Sequence, residues 1–167
     1  MSFSLLPRII INELPDLTPE MLTQRGIRLL MLDFDNTIVP YTRDDPEEKM
    51  IAWLKMMQSS QVQLCVVSNS KRQRVQIFCK KYGLDCITHA KKPFPKGIRE
   101  CLTKFDLPAD QCAIAGDQIY TDTLGGNCSG VTSILVKAID NHNFWLKLRY
   151  VAEMPFILMA KNRRIVK

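Results

Sequence analysis

Short apolar runs recur along this chain, and each breaks off at a polar residue. A continuous apolar run of that kind reads as a strand buried on both faces, as in a parallel sheet. Five strands are expected: Ile27 to Leu32, Val62 to Val67, Asp85 to Thr88, Gln111 to Ala115 and Thr132 to Val136. Between them the apolar positions fall at helical spacing. Ile51, Leu54 and Met57, with Trp53 as a packing residue beside them, mark a helix opened by Pro46. Val75, Phe78 and Cys79 mark another, Lys71 to Tyr82, which Gly83 stops. Lys96 to Phe105 and Thr121 to Cys128 follow, the latter despite the cost of Gly125 and Gly126. Thr18 and Pro19 make a helix start ahead of the first strand. After Asn141, the residues Phe144, Trp145, Leu148, Val151 and Ala152 predict an amphipathic helix that Pro155 ends. This alternation predicts an α/β fold: a doubly wound, five-stranded, mainly parallel sheet with helices on both faces.

Length and charge narrow the picture. The 167 residues suit a single domain with a proper core. The net charge is +6, and most of the excess sits at one end. Lys137 to Lys167 holds seven basic residues against two acidic ones. Such asymmetry points to an anionic partner, a membrane surface or nucleic acid, with a merely solvated tail as the plain alternative. Few aromatic residues interleave with the basic ones, which argues against nucleic acid. None of the six cysteines forms a C-x-x-C pair, and Cys65 and Cys112 lie in apolar runs as core residues do. They fit a reducing compartment. Leu5 to Ile11 lacks the form of a signal peptide, and no apolar run is long enough to span a bilayer. The expectation is a cytoplasmic protein, peripheral at the inner membrane face if it meets a membrane, or an organellar one in a eukaryote.

The candidate chemistry sits where the strands end. Leu29-Leu30-Met31-Leu32 stops at Asp33-Phe34-Asp35-Asn36-Thr37. Two carboxylates at the carboxyl end of a buried strand repel each other and resist desolvation. A divalent cation removes that cost, and Mg²⁺ favours carboxylates together with phosphate. The second strand ends at Ser68 and Asn69, the third leads to Lys92, and the fourth ends at Gly116-Asp117. In a parallel sheet all of these line one edge, where open α/β sheets keep their ligand crevice. The set suits cleavage of a phosphate ester. Asp33 is the expected nucleophile, forming an aspartyl-phosphate, and Asp35 the acid and base. Asp117 is an expected metal ligand, Lys92 a cation for the phosphoryl oxygens and Ser68 a hydrogen-bond donor to one of them. Asn69 joins the substrate contacts, and Thr37 donates through its hydroxyl or its backbone. Asp122 caps its helix or steadies Lys92. Taken singly, Ser68 is an ordinary N-cap, Lys92 a surface lysine and Asp117 a turn residue; their order along the chain makes the set informative. His89 and His142 read as surface or packing residues.

Those residues resemble the four motifs of haloacid-dehalogenase-type phosphatases. Asp33-Phe34-Asp35-Asn36-Thr37 looks like the first motif, and Ser68, Lys92 and the stretch Gly116 to Asp122 follow in the order of the other three. Asp16-Leu17-Thr18-Pro19, Lys91-Lys92-Pro93 and Gly116-Asp117-Gln118 are similar to the YqeG-type branch of subfamily IIIA, itself similar to the phosphatidylglycerophosphatases of yeast mitochondria and plants. The resemblance covers about 27–136. It implies a Rossmann-like core and Mg²⁺ held by Asp33, the backbone carbonyl of Asp35 and Asp117. Many such phosphatases carry a cap domain. Here the intervals Thr37 to Ser68 and Ser70 to Lys92 are filled by ordinary elements, so a single capless domain is expected. An open site admits a phosphate on something large, such as a lipid head group. The expected substrate is phosphatidylglycerophosphate, with a soluble sugar or nucleotide phosphate as the alternative. A non-catalytic phosphate- or nucleic-acid-binding module is the further one.

Overall fold

The computed structural model describes 3–70, 73–140 and 144–160, with the backbone alone for 144–150. The strands are β1 (Ile9–Ile11), β2 (Leu29–Leu32), β3 (Gln63–Val67), β4 (Asp85–Ile87), β5 (Cys112–Gly116) and β6 (Thr132–Val136). The helices are α1 (Pro19–Thr23), α2 (Glu48–Gln58), α3 (Gln73–Tyr82), α4 (Lys96–Phe105), α5 (Leu124–Ser129) and α6 (Phe144–Met159). All strands pair in parallel, in the order β1-β6-β5-β2-β3-β4. The chain runs outward from β2 to β4, then returns to the other side of β2 for β5 and β6. The crevice of such a sheet opens where the winding reverses, between β2 and β5.

Alternation along each buried strand builds two cores. Leu30, Leu32, Val66, Ala115 and Val136 face Trp53, Leu54, Met57, Val75 and Phe78 of α2 and α3. Leu29, Met31, Cys65, Val67 and Ile114 face Ile98 and Cys101 of α4. Burying each large aliphatic side chain contributes about 1.5–3 kcal/mol, so a sheet covered on both faces gains from every position. Trp53 is buried with its indole N–H donating to the Leu17 carbonyl at 2.7 Å, and Thr18 caps α1 by accepting from the Met21 N–H. These bonds fix the lead-in segment against α2.

The structure corrects three expectations. The sheet has six strands, because Ile9–Ile11 adds β1 beside β6, with Ile9 opposite Ile134. Three residues behind Pro7 and Arg8 carry little local signal; it is the exposed edge of β6 that makes them a strand. Pro155 does not end the last helix, for α6 runs through it. A proline costs that helix one hydrogen bond. Beyond it, Phe156, Ile157 and Ala160 pack with Ile10, Ile119 and Leu135, and this burial sustains the turn. The segment expected as a helix from Thr121 is a wide π-type turn, Ile119–Thr123, running into α5.

His142, Lys161, Arg163, Arg164 and Lys167 lie outside the described residues, as do Lys71 and the side chains of Phe144, Trp145, Lys147, Leu148 and Arg149. Among the described residues no helix is long and apolar enough to cross a membrane. His89 is exposed.

Gly126 explains how α5 lies so close to the sheet: a Cβ there would stand 2.6 Å from the Ile114 Cγ2. Gly126→Ala gains helix propensity yet overpacks this contact, so it is expected to destabilise by about 1–3 kcal/mol, measured by urea unfolding.

Candidate active site

Four strand-end loops bring the polar residues together. β2 continues its pairing one step further, the Asp33 N–H donating to the Ala115 carbonyl at 2.8 Å. That bond sets Asp33 at the head of the crevice, and the residue is buried. The loop after it turns at Asn36, a buried asparagine with φ of +64°, a conformation asparagine adopts more readily than most residues. Its carboxamide donates to the Asp140 carbonyl at 2.8 Å and accepts from the Asp140 N–H at 2.9 Å. Asn36 thus staples the segment after β6 to the loop after β2. The sequence reading did not assign it a role.

The Lys92 ammonium is the centre of the site. It is buried and donates to Asp33 Oδ1 at 2.6 Å and to Asp122 Oδ1 at 2.7 Å. Its backbone is held by Asn69, whose amide donates to the Lys92 carbonyl at 2.9 Å and whose oxygen accepts the Lys92 N–H at 2.7 Å. Asn69, expected to touch substrate, spends both ends of its carboxamide on this clamp. Of the two roles weighed for Asp122 the structure shows the contact with Lys92; Asp122 is not the helix cap but lies inside the π-type turn, where its other oxygen accepts from the Gln118 N–H at 3.2 Å. Gly116 permits this approach: a Cβ there would fall 2.3 Å from the Asp122 carboxyl carbon.

Asp33, Asp117 and Asp122 each present a carboxylate oxygen within 4.8 Å of the others, and all three are buried. Thr37 ties two of them, its hydroxyl donating to Asp33 Oδ2 at 3.4 Å and accepting the Asp117 N–H at 3.1 Å. The Ser68 side chain is buried and accepts the Ser70 N–H at 3.0 Å, in the manner of a cap. Its hydroxyl proton remains available to a ligand. Asp35 stands apart from the carboxylate group: its Oδ1 meets Arg74 Nη1 at 3.3 Å. Arg74 was not legible as a site residue, because a charged position on a helix reads as solvent-facing.

One cation against three carboxylates leaves surplus negative charge in a buried notch. Burial opposes the charge on Lys92, but Asp122 and Asp33 outweigh it and hold the ammonium protonated, above its ordinary value. The surplus falls on Asp33. Burial pushes its carboxyl up, against the pull of Lys92, and the charges of Asp122 and Asp117 add to the rise, to about 7. Hard oxygen donors with excess negative charge fit Mg²⁺. Asp33 and Asp117 would hold it, with the adjoining Asp35 backbone as a further donor.

Known proteins place the chain by family and by fold. The family described as mitochondrial PGP phosphatase matches residues 2–139. "Probable phosphatase YqeG" of Bacillus subtilis is 33% identical over 131 residues, covering 78% of this chain and 76% of the relative. Among solved structures, a putative subfamily III A hydrolase of the HAD superfamily from Legionella pneumophila superposes with a TM-score of 0.52 at 12% identity, covering 86% of this chain and 88% of that one. The 3-deoxy-D-manno-octulosonate 8-phosphate phosphatase of Yersinia pestis gives 0.54 at 14% identity, covering 87% and 88%. These last two share the fold.

The raised Asp33 carboxyl gives the site a pH signature. Below pH of about 7 a proton occupies Asp33 and a cation must displace it; above, the carboxylate is open. Mg²⁺ is therefore expected to raise the melting temperature more at pH 8 than at pH 5, by thermal-shift measurement. Asp117→Asn should flatten that difference.

Proposed function

We propose how this chain, which belongs to the PGP phosphatase family of haloacid-dehalogenase-type phosphatases, breaks a phosphate ester: Asp33 attacks the phosphorus and Asp35 handles the proton. The observation that carries this reading is Asp33 at the carboxyl end of β2, ion-paired to Lys92 and grouped with Asp117 and Asp122. A carboxylate held by a buried ammonium is aimed, and its rotamers are few. Attack forms an aspartyl-phosphate as the bond to the leaving oxygen breaks, and Asp35 gives that oxygen a proton. Asp35 then takes a proton from water as the water attacks phosphorus, which releases phosphate and restores Asp33. Lys92 places positive charge against the phosphoryl oxygens, and Ser68 donates to one of them. Thr37 orders the loop, its hydroxyl bridging Asp33 and the Asp117 N–H and its own N–H donating to the Phe34 carbonyl at 3.4 Å, a long bond that a phosphoryl oxygen could replace. Asn69 acts by holding Lys92 in place. Bound Mg²⁺ supplies charge neutralisation between the anionic nucleophile and the phosphate.

The substrate we infer is a lipid phosphate, phosphatidylglycerophosphate, which becomes phosphatidylglycerol. Between β2 and β3 the only regular element among the described residues is α2, and between β3 and β4 it is α3, which supports a capless single domain. The outer face of α6 supports a membrane setting. Val151, Ala152, Pro155, Leu158 and Met159 are all exposed, all apolar and at helical spacing on one side. Its inner face is anchored to the loop after Asp117, the buried Glu153 accepting the Ile119 N–H at 3.0 Å. A cavity of about 180 Å³ between α6 and the sheet edge touches Asp117, Lys137, Glu153 and Ile157, a mixed lining that suits the polar part of a lipid alcohol. Basic residues in the same C-terminal sequence add attraction to anionic lipid, about 1 kcal/mol each near the surface.

Phosphate release from phosphatidylglycerophosphate in mixed micelles, with Mg²⁺ and then with chelator, tests the reading. Activity is expected with the ion only, and Asp33→Asn should fall to background while keeping its melting temperature. Efficient cleavage of a soluble sugar phosphate with the lipid untouched would leave the chemistry standing and overturn the substrate. Leu158→Glu with Met159→Glu should weaken binding to anionic vesicles about 10-fold or more, since burying one such side chain contributes about 1.5–3 kcal/mol. Hydrolysis of a soluble aryl phosphate should stay unaltered in that variant.

A further inference from the structure

Outside the carboxylate notch, the Arg74 guanidinium is the most heavily engaged charged group among the described residues. Its side chain is only 13% exposed, although it is the second residue of α3. It lies 5.1 Å from the centre of the Phe34 ring, and Phe34 separates Asp33 from Asp35 in the chain. Nη1 meets Asp35 Oδ1 at 3.3 Å, and Nε meets Asp44 Oδ1 at 3.2 Å. Nη2 donates to the Pro40 carbonyl at 2.8 Å and also to the Arg43 carbonyl. One rigid plane therefore joins three things: the second acid of the site, the loop that follows it, and α3.

A guanidinium is planar, and its donors keep fixed directions. Groups bonded to it cannot shift independently. Its Nη1 and Nη2 are bonded to Asp35 and to two carbonyls, and two carboxylates offset its charge, so these contacts fix where the guanidinium lies. The cation facing Asp33 is Lys92. What Arg74 can do is decide where the Asp35 carboxylate stands.

We propose that Arg74 is a positioning residue for Asp35, setting the distance and direction from its carboxyl to the leaving oxygen. This inference rests on the reading of Asp35 as the acid. The acid matters most when the leaving group is a poor one: an alkoxide needs its proton as the bond breaks, whereas an aryl oxide leaves well without it. Misplacing a proton donor by about 1 Å can cost about 100-fold, and general acids contribute about 100-fold or more in all. Loss of Arg74 should therefore fall unequally on the two kinds of ester. Arg74→Lys keeps the charge but loses the fork, and should lie between wild type and Arg74→Ala.

The experiment measures kcat and KM for wild type, Arg74→Ala, Arg74→Lys and Asp35→Asn with Mg²⁺, on glycerol phosphate as the alkyl ester and p-nitrophenyl phosphate as the aryl ester. For Arg74→Ala the expected fall in kcat is about 10- to 100-fold on the alkyl ester and several-fold smaller on the aryl one. Asp35→Asn should show the same split, and the double variant should lose little more on the alkyl ester than Asp35→Asn alone. An equal loss on both esters in Arg74→Ala, or a change confined to KM, overturns the proposal while a split in Asp35→Asn upholds the acid itself. No split in Asp35→Asn overturns both. If Arg74→Ala does not fold, Arg74→Lys and Asp44→Asn carry the test, with the same split at smaller size expected and an even loss overturning the proposal.

Discussion

A single buried ammonium holds the site together. Lys92 stands between Asp33 and Asp122, each within ordinary ion-pair distance, and Asp117 shares the same notch. Burying this many charges is costly, and removing one partner of such a group leaves the others uncompensated. The arrangement is tolerable because one positive charge reduces the repulsion without abolishing it. The remaining negative charge is what makes the notch receptive to a further cation. A site of this kind holds a stored demand for positive charge at the point where a phosphate would otherwise be repelled.

Everything around Lys92 serves its placement. Asn69 at the end of β3 fixes the lysine's backbone from one side. Gly116 at the end of β5 leaves room for Asp122 to reach it from the other. Thr37 locks the loop after β2 to the Asp117 backbone, and Asn36 extends the lock to the segment after β6. These are short polar bridges between neighbouring loops, set on a sheet whose two buried faces keep the strand ends in register. Rigidity at the centre thus comes from hydrogen bonds, while the sheet supplies their common frame.

The periphery divides into two attachments. On one side Arg74 joins the loop after β2 to α3 and takes hold of Asp35. On the other, Glu153 and Phe156 join α6 to the loop after Asp117, with Tyr120 packed edge-on against Phe156. In the second attachment Glu153 and Phe156 lie beyond the residues 2–139 that match the family, while Ile119 and Tyr120 lie within them. This attachment leaves one face of α6 apolar and exposed beside the carboxylate notch, which no further domain covers among the described residues.

The sequence by itself determined the layered fold and which strand ends carry the buried charges. Buried parallel strands are apolar along their whole length, so Leu29–Leu32 and Thr132–Val136 announce themselves, and acids that interrupt such runs stand out. The order Asp33, Ser68, Lys92, Asp117 was enough to infer a shared edge. Tertiary structure alone decided the rest, because it depends on partners far along the chain. Ile9–Ile11 became a strand only against β6, and α6 continued past Pro155 only because the residues beyond it found a core. Asn69 proved to grip Lys92, and Asp35 to lie against Arg74, through bonds spanning tens of residues. Periodicity and spacing register which side of an element is buried; they carry no record of which distant polar group a side chain will meet, and that pairing fixes each residue's part in the site.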